Sequence, residues 1–299
     1  MRIFITGGTG FIGKYVVEEL ARKNYDILIL SRESNTELFR DFKNISFIKG
    51  DLSELHLFKN KLRKFKPEFA IHLAWEGIPD YGAETSLKNL MNSIALIMTL
   101  CELGCKRIVS VGSCWEYRGH TGKISEGVKL NVAAFNAFVA AKTSLYCFAS
   151  EMIKKYNIQF IWVRPFFVYG LGQKKTSLIP YIINCFKNGK RPIINNLYGG
   201  NDFINVKDVA NAMVAILDKN NFANKNSVYN IGSGHIVRIQ EILKMIYDFY
   251  NLKFRIKKSH NKITHGEIYA DISSIKRDVG WRPRISIKKG IKEMIEYYG

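Results

Sequence analysis

The sequence is poor in cysteine and proline, with five and six among 299 residues. An odd number of cysteines in no paired spacing excludes a disulfide framework and reads as reduced thiols in a cytoplasmic protein. Cys101 and Cys105 stand four apart on an expected helix. No His or Cys pair completes a metal set with them, so both read as core residues and no metal is expected. No stretch approaches the roughly 20 apolar residues that a membrane span needs. Met1-Arg2-Ile3-Phe4-Ile5 runs straight into a strand pattern without a leader-like segment. Acidic residues are also scarce: 26 Asp and Glu stand against 45 Lys and Arg, a net charge of +19. That excess favours anionic partners in general. It comes with no helix-turn-helix, zinc-finger or RNA-binding aromatic motif, so no nucleic-acid partner is expected. The basic run Arg255-Ile256-Lys257-Lys258 is short and reads as a solvated face. Low-complexity tracts, long linkers and repeats of 20–50 residues are absent.

What is present is ordinary globular material, 47% hydrophobic and 24% charged, which is enough for a sizeable core. The first half alternates short β-branched runs with amphipathic stretches. Strands are expected at Arg2–Thr6, Asp26–Leu30, Ile45–Lys49, Phe69–Leu73, Arg107–Val111 and Ile158–Val163. Helices are expected to about Lys23 and over Glu54–Phe65, Glu84–Gly104 and Ala133–Tyr156. Continuous apolar strands separated by helices imply an α/β fold, a doubly wound parallel sheet covered on both faces. After residue 165 the rhythm changes to helices at Ser177–Asn188, Val206–Asp218 and Ile239–Tyr250 with short strands between them. The expected division is a dinucleotide-binding domain over 1–165 and a smaller, mainly helical substrate domain over 166–299, interleaved at their boundary. A cleft between two such parts is where small-molecule sites tend to lie.

The chemistry begins at Thr6-Gly7-Gly8-Thr9-Gly10-Phe11-Ile12-Gly13, where the first strand turns into the first helix. Glycines at 7, 10 and 13 permit a tight turn, let backbone N–H groups approach a pyrophosphate, and allow helix and strand to pack closely. A dinucleotide fold that takes NAD usually carries Asp or Glu at the end of the second strand for the ribose 2′-hydroxyl. Here Ser31-Arg32 stands there. A hydroxyl and a planar guanidinium suit a 2′-phosphate, so NADP(H) is favoured; Glu33, by a loop shift, keeps NAD(H) open.

With these residues in hand the chain resembles the extended short-chain dehydrogenase/reductases, and more narrowly the nucleotide-sugar epimerase/dehydratase/reductase family. The resemblance runs over nearly the whole chain. It is carried by Gly50-Asp51-Leu52, Ile71-His72-Leu73-Ala74, Ser110 to Tyr117, Arg164 to Gly170, Asn201 to Ala210, Tyr229 to Gly234, Ala270 to Ile272 and Gly280 to Pro283. It implies cofactor contacts at Gly7, Gly10, Phe11, Ile12, Gly13, Ser31, Arg32, Asp51, Leu52, Leu73, Ala74, Lys142 and Pro165, with His72 packing near the cofactor. It also implies a catalytic Ser at 113 and a Lys at 142 paired with a proton-carrying Tyr four residues earlier. Positions i and i+4 share a helix face, and an ammonium there lowers a phenol's pKa.

At that Tyr position stands Phe138, which can neither give nor take a proton. Three explanations remain open: an engineered change, a natural enzyme whose proton comes from water or another group, or lost catalysis. Cys114, Tyr117, Tyr146 and Tyr169 are the alternative donors. Trp75 and Tyr81, in the loop after the fourth strand with Glu76, are expected to wall a sugar pocket together with Cys114, Trp115 and Phe167. Glu116 is a candidate for sugar hydroxyls. Asn201 stands where many relatives carry a phosphate-binding Arg, leaving Arg191 or Lys190 for that task. Many epimerases carry Asn where Phe167 stands. The resemblance implies reduction of a nucleotide-linked 4-keto-6-deoxy sugar at C4, with an NAD-dependent epimerase or a silent NADP(H) sensor as alternatives. It also implies a homodimer joined through the two long helices.

Overall fold

The computed structural model describes residues 1–33, 36–79, 81–220, 222, 224, 226–252 and 267–298. The run at 255–258 lies outside them. The first half alternates in order: β1 (Arg2–Thr6), α1 (Gly13–Arg22), β2 (Asp26–Ser31), β3 (Ile45–Lys49), α2 (Leu55–Phe65), β4 (Phe69–His72), α3 (Ala83–Glu102), β5 (Arg107–Val111), the short β6 (Gly122–Ile124), α4 (Ala137–Tyr156) and β7 (Gln159–Pro165). There follow β8 (Phe167–Tyr169), α5 (Leu178–Lys187), β9 (Gly200–Asn201), β10 (Phe203–Asn205), α6 (Val206–Asp218), β11 (Asn226–Ile231), β12 (Val237–Arg238), α7 (Ile239–Phe249), β13 (Ile268–Ala270), α8 (Ser273–Val279) and α9 (Ile287–Tyr298).

Seven strands form one parallel sheet in the order β11-β7-β5-β4-β1-β2-β3. Its strands read as near-continuous apolar runs because both faces are covered. Ile3, Ile5, Ile27, Ile29, Val109 and Ile161 face one core with α1 and α6. Phe4, Leu28, Ala70, Ile108, Phe160 and Trp162 face the other with α2, α3 and α4. Strand order reverses between β1 and β4, which puts a crevice at the carboxyl ends of those two strands.

The sequence places the long helix at 133–156, but it starts at Ala137. Asn136 caps it by accepting from the Val139 amide, and Val132–Ala134 form a separate 3-10 turn. Chain after residue 165 does not leave the sheet for good. α6 packs beside α1 in the first core, and β11 pairs with β7 along its whole length as the sheet's edge. A separate apolar cluster, with Ile182, Phe203, Leu243 and Ile291, holds α5, α7 and α9 together. α8 and α9 complete the helical part beyond what the sequence pattern marked.

Candidate active site

Because the sheet is parallel, the carboxyl ends of its strands share one edge. The glycine loop follows β1, Arg32 follows β2, Asp51 follows β3, Ala74 follows β4, Ser113 follows β5, and Pro165 ends β7. Residues far apart in sequence are thereby gathered in one crevice.

The glycine loop is built for close approach. The Gly10 amide donates to the Gly7 carbonyl at 3.0 Å and closes the turn. Gly7 has φ +72°, and a Cβ there would lie 2.7 Å from the Ala74 nitrogen. A Cβ on Gly13 would lie 2.0 Å from the Gly7 oxygen. The loop is thus pressed against the Leu73-Ala74 backbone at the switch point. Among the described residues no side chain caps α1, and its first turn has no acid, so its amides face the loop as the positive end of the helix. These features fit a dinucleotide's pyrophosphate.

His72 locks the crevice floor. Ser93 donates its hydroxyl to the Asn89 carbonyl at 2.6 Å. The imidazole Nε2–H therefore donates to Ser93 Oγ at 2.8 Å, and Nδ1 accepts from Thr6 Oγ1 at 2.7 Å. Burial, and behind it the Lys142 charge, pulls His72 down to about 3, so it stays neutral.

At the ribose end Ser31 is buried and Arg32 is exposed. Arg32 Nη1 donates to Glu76 Oε1 at 3.1 Å, and Lys88 Nζ donates to Glu76 Oε2 at 3.0 Å. Sequence reasoning missed this cluster. Its members come from three separate stretches of chain, and no local pattern joins them. Asp51 caps the turn at Leu52–Glu54 by accepting from the Ser53 amide and hydroxyl, and those bonds lower its pKa.

At the other end Lys142 and Phe138 lie on one face of α4, both buried. Lys142 Nζ donates to the Val111 carbonyl at 2.7 Å and sits 3.7 Å from the centre of the Trp75 ring. Burial pulls its pKa down to about 7, with the Glu116 charge acting in the opposite sense. Phe138 is enclosed by Trp75, Tyr81 and Trp115, with ring centres 5.7, 5.1 and 6.3 Å away. Tyr81 and Trp115 are themselves 4.8 Å apart. Trp75 Nε1 is buried without a partner among the described residues.

Ser113 caps the 3-10 turn Cys114–Tyr117. Its Oγ accepts from the Trp115 amide at 3.2 Å, and its own amide donates to Glu116 Oε1 at 2.9 Å. That second bond corrects one expectation. Glu116 is fully buried and its carboxylate is taken up by the Ser113 amide, the Trp162 indole and Arg164 Nε at 2.8 Å. It positions Ser113 and does not reach for sugar hydroxyls. Cys114 is buried in a cluster with Tyr117, Ile124 and Phe166, with its thiol beside the Ser113 side chain and within electrostatic reach of Tyr81; burial pushes that thiol well up.

Three of the alternative donors are occupied elsewhere. Tyr117 donates to Asn230 Oδ1 and accepts from Arg164, while Tyr169 donates to the Ser286 carbonyl. Tyr146 stacks under β7 on Phe160 and Trp162, with its oxygen facing Asn226. Phe167 packs on Phe203, Asn201 is half-buried at β9, and Arg191 is exposed on the loop before β9. Next to Asn201, Asp202 is fully buried and accepts from the Ser233, Gly234 and Ala270 amides, which ties β9 to the β11–β12 loop and β13.

A crossover-rich parallel sheet with a glycine cradle at its switch point and a Ser–Lys pair beside it defines a dinucleotide-binding α/β protein. The chain belongs to the NAD dependent epimerase/dehydratase family, whose profile matches residues 3–232. It is 27% identical to a Methanocaldococcus jannaschii protein provisionally named UDP-glucose 4-epimerase, with 99% of this chain and 97% of that one covered. It is 25% identical to the dTDP-4-dehydro-6-deoxyglucose reductase of Escherichia coli, over 98% and 96% of the two chains. Among solved structures, the UDP-glucose 4-epimerase of Thermotoga maritima, crystallised with UDP-glucose, superposes with a TM-score of 0.85. That match has 21% identity and covers 100% and 98% of the two chains.

Proposed function

We propose that this chain is a reductase that uses NADPH to convert a nucleotide-linked 4-keto-6-deoxy sugar to its C4 alcohol, in deoxysugar assembly for surface polysaccharide in the cytoplasm. The observation that carries the reading is the pairing of two ends of one crevice. Arg32 and Lys88, both paired with Glu76, supply the cations that a 2′-phosphate would need, and Phe138 takes the position from which a sugar hydroxyl would have to be deprotonated. An epimerase must first take a proton and a hydride from its sugar, and Phe138 cannot take one. Net reduction needs an acid instead of a base, and since Phe138 supplies neither, the proton comes from water or another group. The E. coli reductase among the relatives supports the same class.

When bound, the reduced nicotinamide supplies the hydride. The glycine loop and the α1 amides hold the pyrophosphate; Ser31, Arg32, Asp51, Leu52 and Pro165 line the cofactor's course, and Lys142 holds the nicotinamide ribose. In its capping bond the Ser113 oxygen accepts, so its hydroxyl proton can turn from the neighbouring Cys114 sulfur to the C4 carbonyl oxygen and stabilise negative charge as it develops. Trp75, Tyr81 and Trp115 give the sugar a wall of aromatic rings.

A second reading, an NAD-dependent epimerase, draws on Glu76, whose carboxylate at the ribose end could accept from a 2′-hydroxyl. The catalytically silent sensor draws on Phe138 alone. The deciding experiment follows NADPH absorbance with nucleotide-linked 4-keto-6-deoxyhexoses for this chain and Phe138→Tyr side by side. Consumption of NADPH by either supports reduction. Binding of NADPH without turnover by both returns the epimerase and sensor readings.

We also propose a homodimer through α3 and α4, where Leu87, Met91, Met98 and Phe148 are 46–62% exposed. A monomer by light scattering at micromolar concentration would refute it.

A further inference from the structure

We infer that Tyr81 is the proton donor of this site, carrying from the loop after β4 the hydroxyl that position 138 lacks. The inference rests on the reductase reading and deepens it. Among the described rings that enclose Phe138, Tyr81 carries the one hydroxyl. Its ring lies edge-on to Phe138 with centres 5.1 Å apart and against Trp115 at 4.8 Å. It therefore borders the same apolar space that a tyrosine at 138 would serve. The hydroxyls of Tyr117 and Tyr169 are spent on distant partners, and Tyr146 faces the underside of β7.

Tyr81 is half-buried. Burial, and behind it the neighbouring Cys114 thiol, raises its pKa above the ordinary phenol, which keeps it protonated at working pH. That is the form a reduction needs and the wrong form for taking a proton from a sugar. The step balances simply. With a reduced nicotinamide bound to supply hydride to C4, the carbonyl π pair would move to oxygen, and Tyr81 would give that oxygen its proton. The phenolate left behind is reprotonated from solvent through the ring's exposed side.

The test compares the wild-type chain, Tyr81→Phe, Phe138→Tyr and the double variant Tyr81→Phe/Phe138→Tyr. Cofactor affinity is read separately from the quenching of Trp75 and Trp115 fluorescence by NADPH. Tyr81→Phe is expected to lower kcat by about 10²–10⁴-fold, the usual worth of a general acid, with NADPH affinity unchanged. The alkaline fall in kcat, set by the phenol, should disappear with it. The double variant should recover turnover, because a phenol again borders the site, now beside Lys142.

If Tyr81→Phe keeps wild-type kcat, the proton comes from water and the inference is overturned. If the wild-type chain is inactive while Phe138→Tyr reduces the ketone, Tyr81 is not a donor, and the reductase reading survives without it. If no variant consumes NADPH, the reductase reading falls and takes the inference with it.

Discussion

Replacing Glu116 by alanine should destabilise this protein more than almost any other single change near the site. The carboxylate has no solvent exposure and the Arg164 side chain only 4%. Truncation leaves a guanidinium, the Trp162 indole N–H and the Ser113 amide buried without their acceptor. Removing one partner of a buried ion pair costs about 3–5 kcal/mol. Unfolding entropy of about 2.1 cal/mol/K per residue gives roughly 0.6 kcal/mol/K for a chain of this length, so the melting temperature should fall by about 5–8 °C. Glu116→Gln keeps the shape but turns a donor toward other donors, and should cost about 1.5–3 kcal/mol, the worth of a hydrogen bond to a charged group.

Thermal unfolding followed by far-UV circular dichroism reads both variants. Arg164→Met should also destabilise, but the double variant Glu116→Ala/Arg164→Met should lose less than the two singles together, by about 0.5–3 kcal/mol. The reason is that the second change removes the stranded charge. If Glu116→Ala melts with the wild-type protein, or if the singles simply add, then the carboxylate is not what neutralises Arg164 and the account of this network is wrong.

Lys142 makes stability depend on pH. Its pKa is about 7 in the folded chain and about 10.4 unfolded, so between those values the unfolded chain binds more protons. Stability of the cofactor-free protein should therefore rise from about pH 7 toward pH 10, with the full penalty present below pH 7. Lys142→Met should flatten that rise in pH-dependent melting curves, raise the melting temperature at acidic pH, and abolish turnover. Glu76→Gln frees Arg32 and Lys88 from a carboxylate at an exposed site, where such pairs are worth about 0.2–1 kcal/mol. NADPH should bind up to about fivefold tighter relative to NADH in a fluorescence titration; a fall in NADH affinity instead would favour the epimerase reading. Gly13→Ala forces a methyl group onto the Gly7 carbonyl, so the variant should keep its sheet by circular dichroism and show no saturable NADPH binding.

The parts of this site that could be read from sequence are those fixed by local geometry. Glycines at 7, 10 and 13 reflect a backbone that must turn sharply at the end of β1. The spacing of Phe138 and Lys142 reflects one turn of helix. Both survive as pattern whatever the rest of the chain does. The sheet itself was legible because a strand buried on two faces must be apolar throughout. Glu116 was misjudged because nothing local says that Arg164 and Trp162, from another strand, will reach its carboxylate before a ligand does. The Arg32–Glu76–Lys88 cluster and the contact of Tyr81 with Phe138 were illegible for the same reason: each joins segments that meet only when the sheet is assembled. The start of α4 at Ala137 was set by a capping Asn that composition alone did not single out.

The return of the chain to the sheet has a bearing on how the molecule is made. Synthesis delivers β1 to β7 first, and domains generally fold as units in that order. Yet the edge partner of β7 is β11, whose residues Asn226–Ile231 come after most of the helical part has been synthesised. Until they arrive, β7 offers an unpaired, apolar edge of the kind that recruits other chains. The core under α1 is also unfinished until α6 covers it. A cut at residue 165 would take from β7 its edge partner and from α1 the helix that covers it. A nascent chain that has released β7 but not yet β11 carries that open edge, and the sheet is complete only when both halves of the chain have joined it.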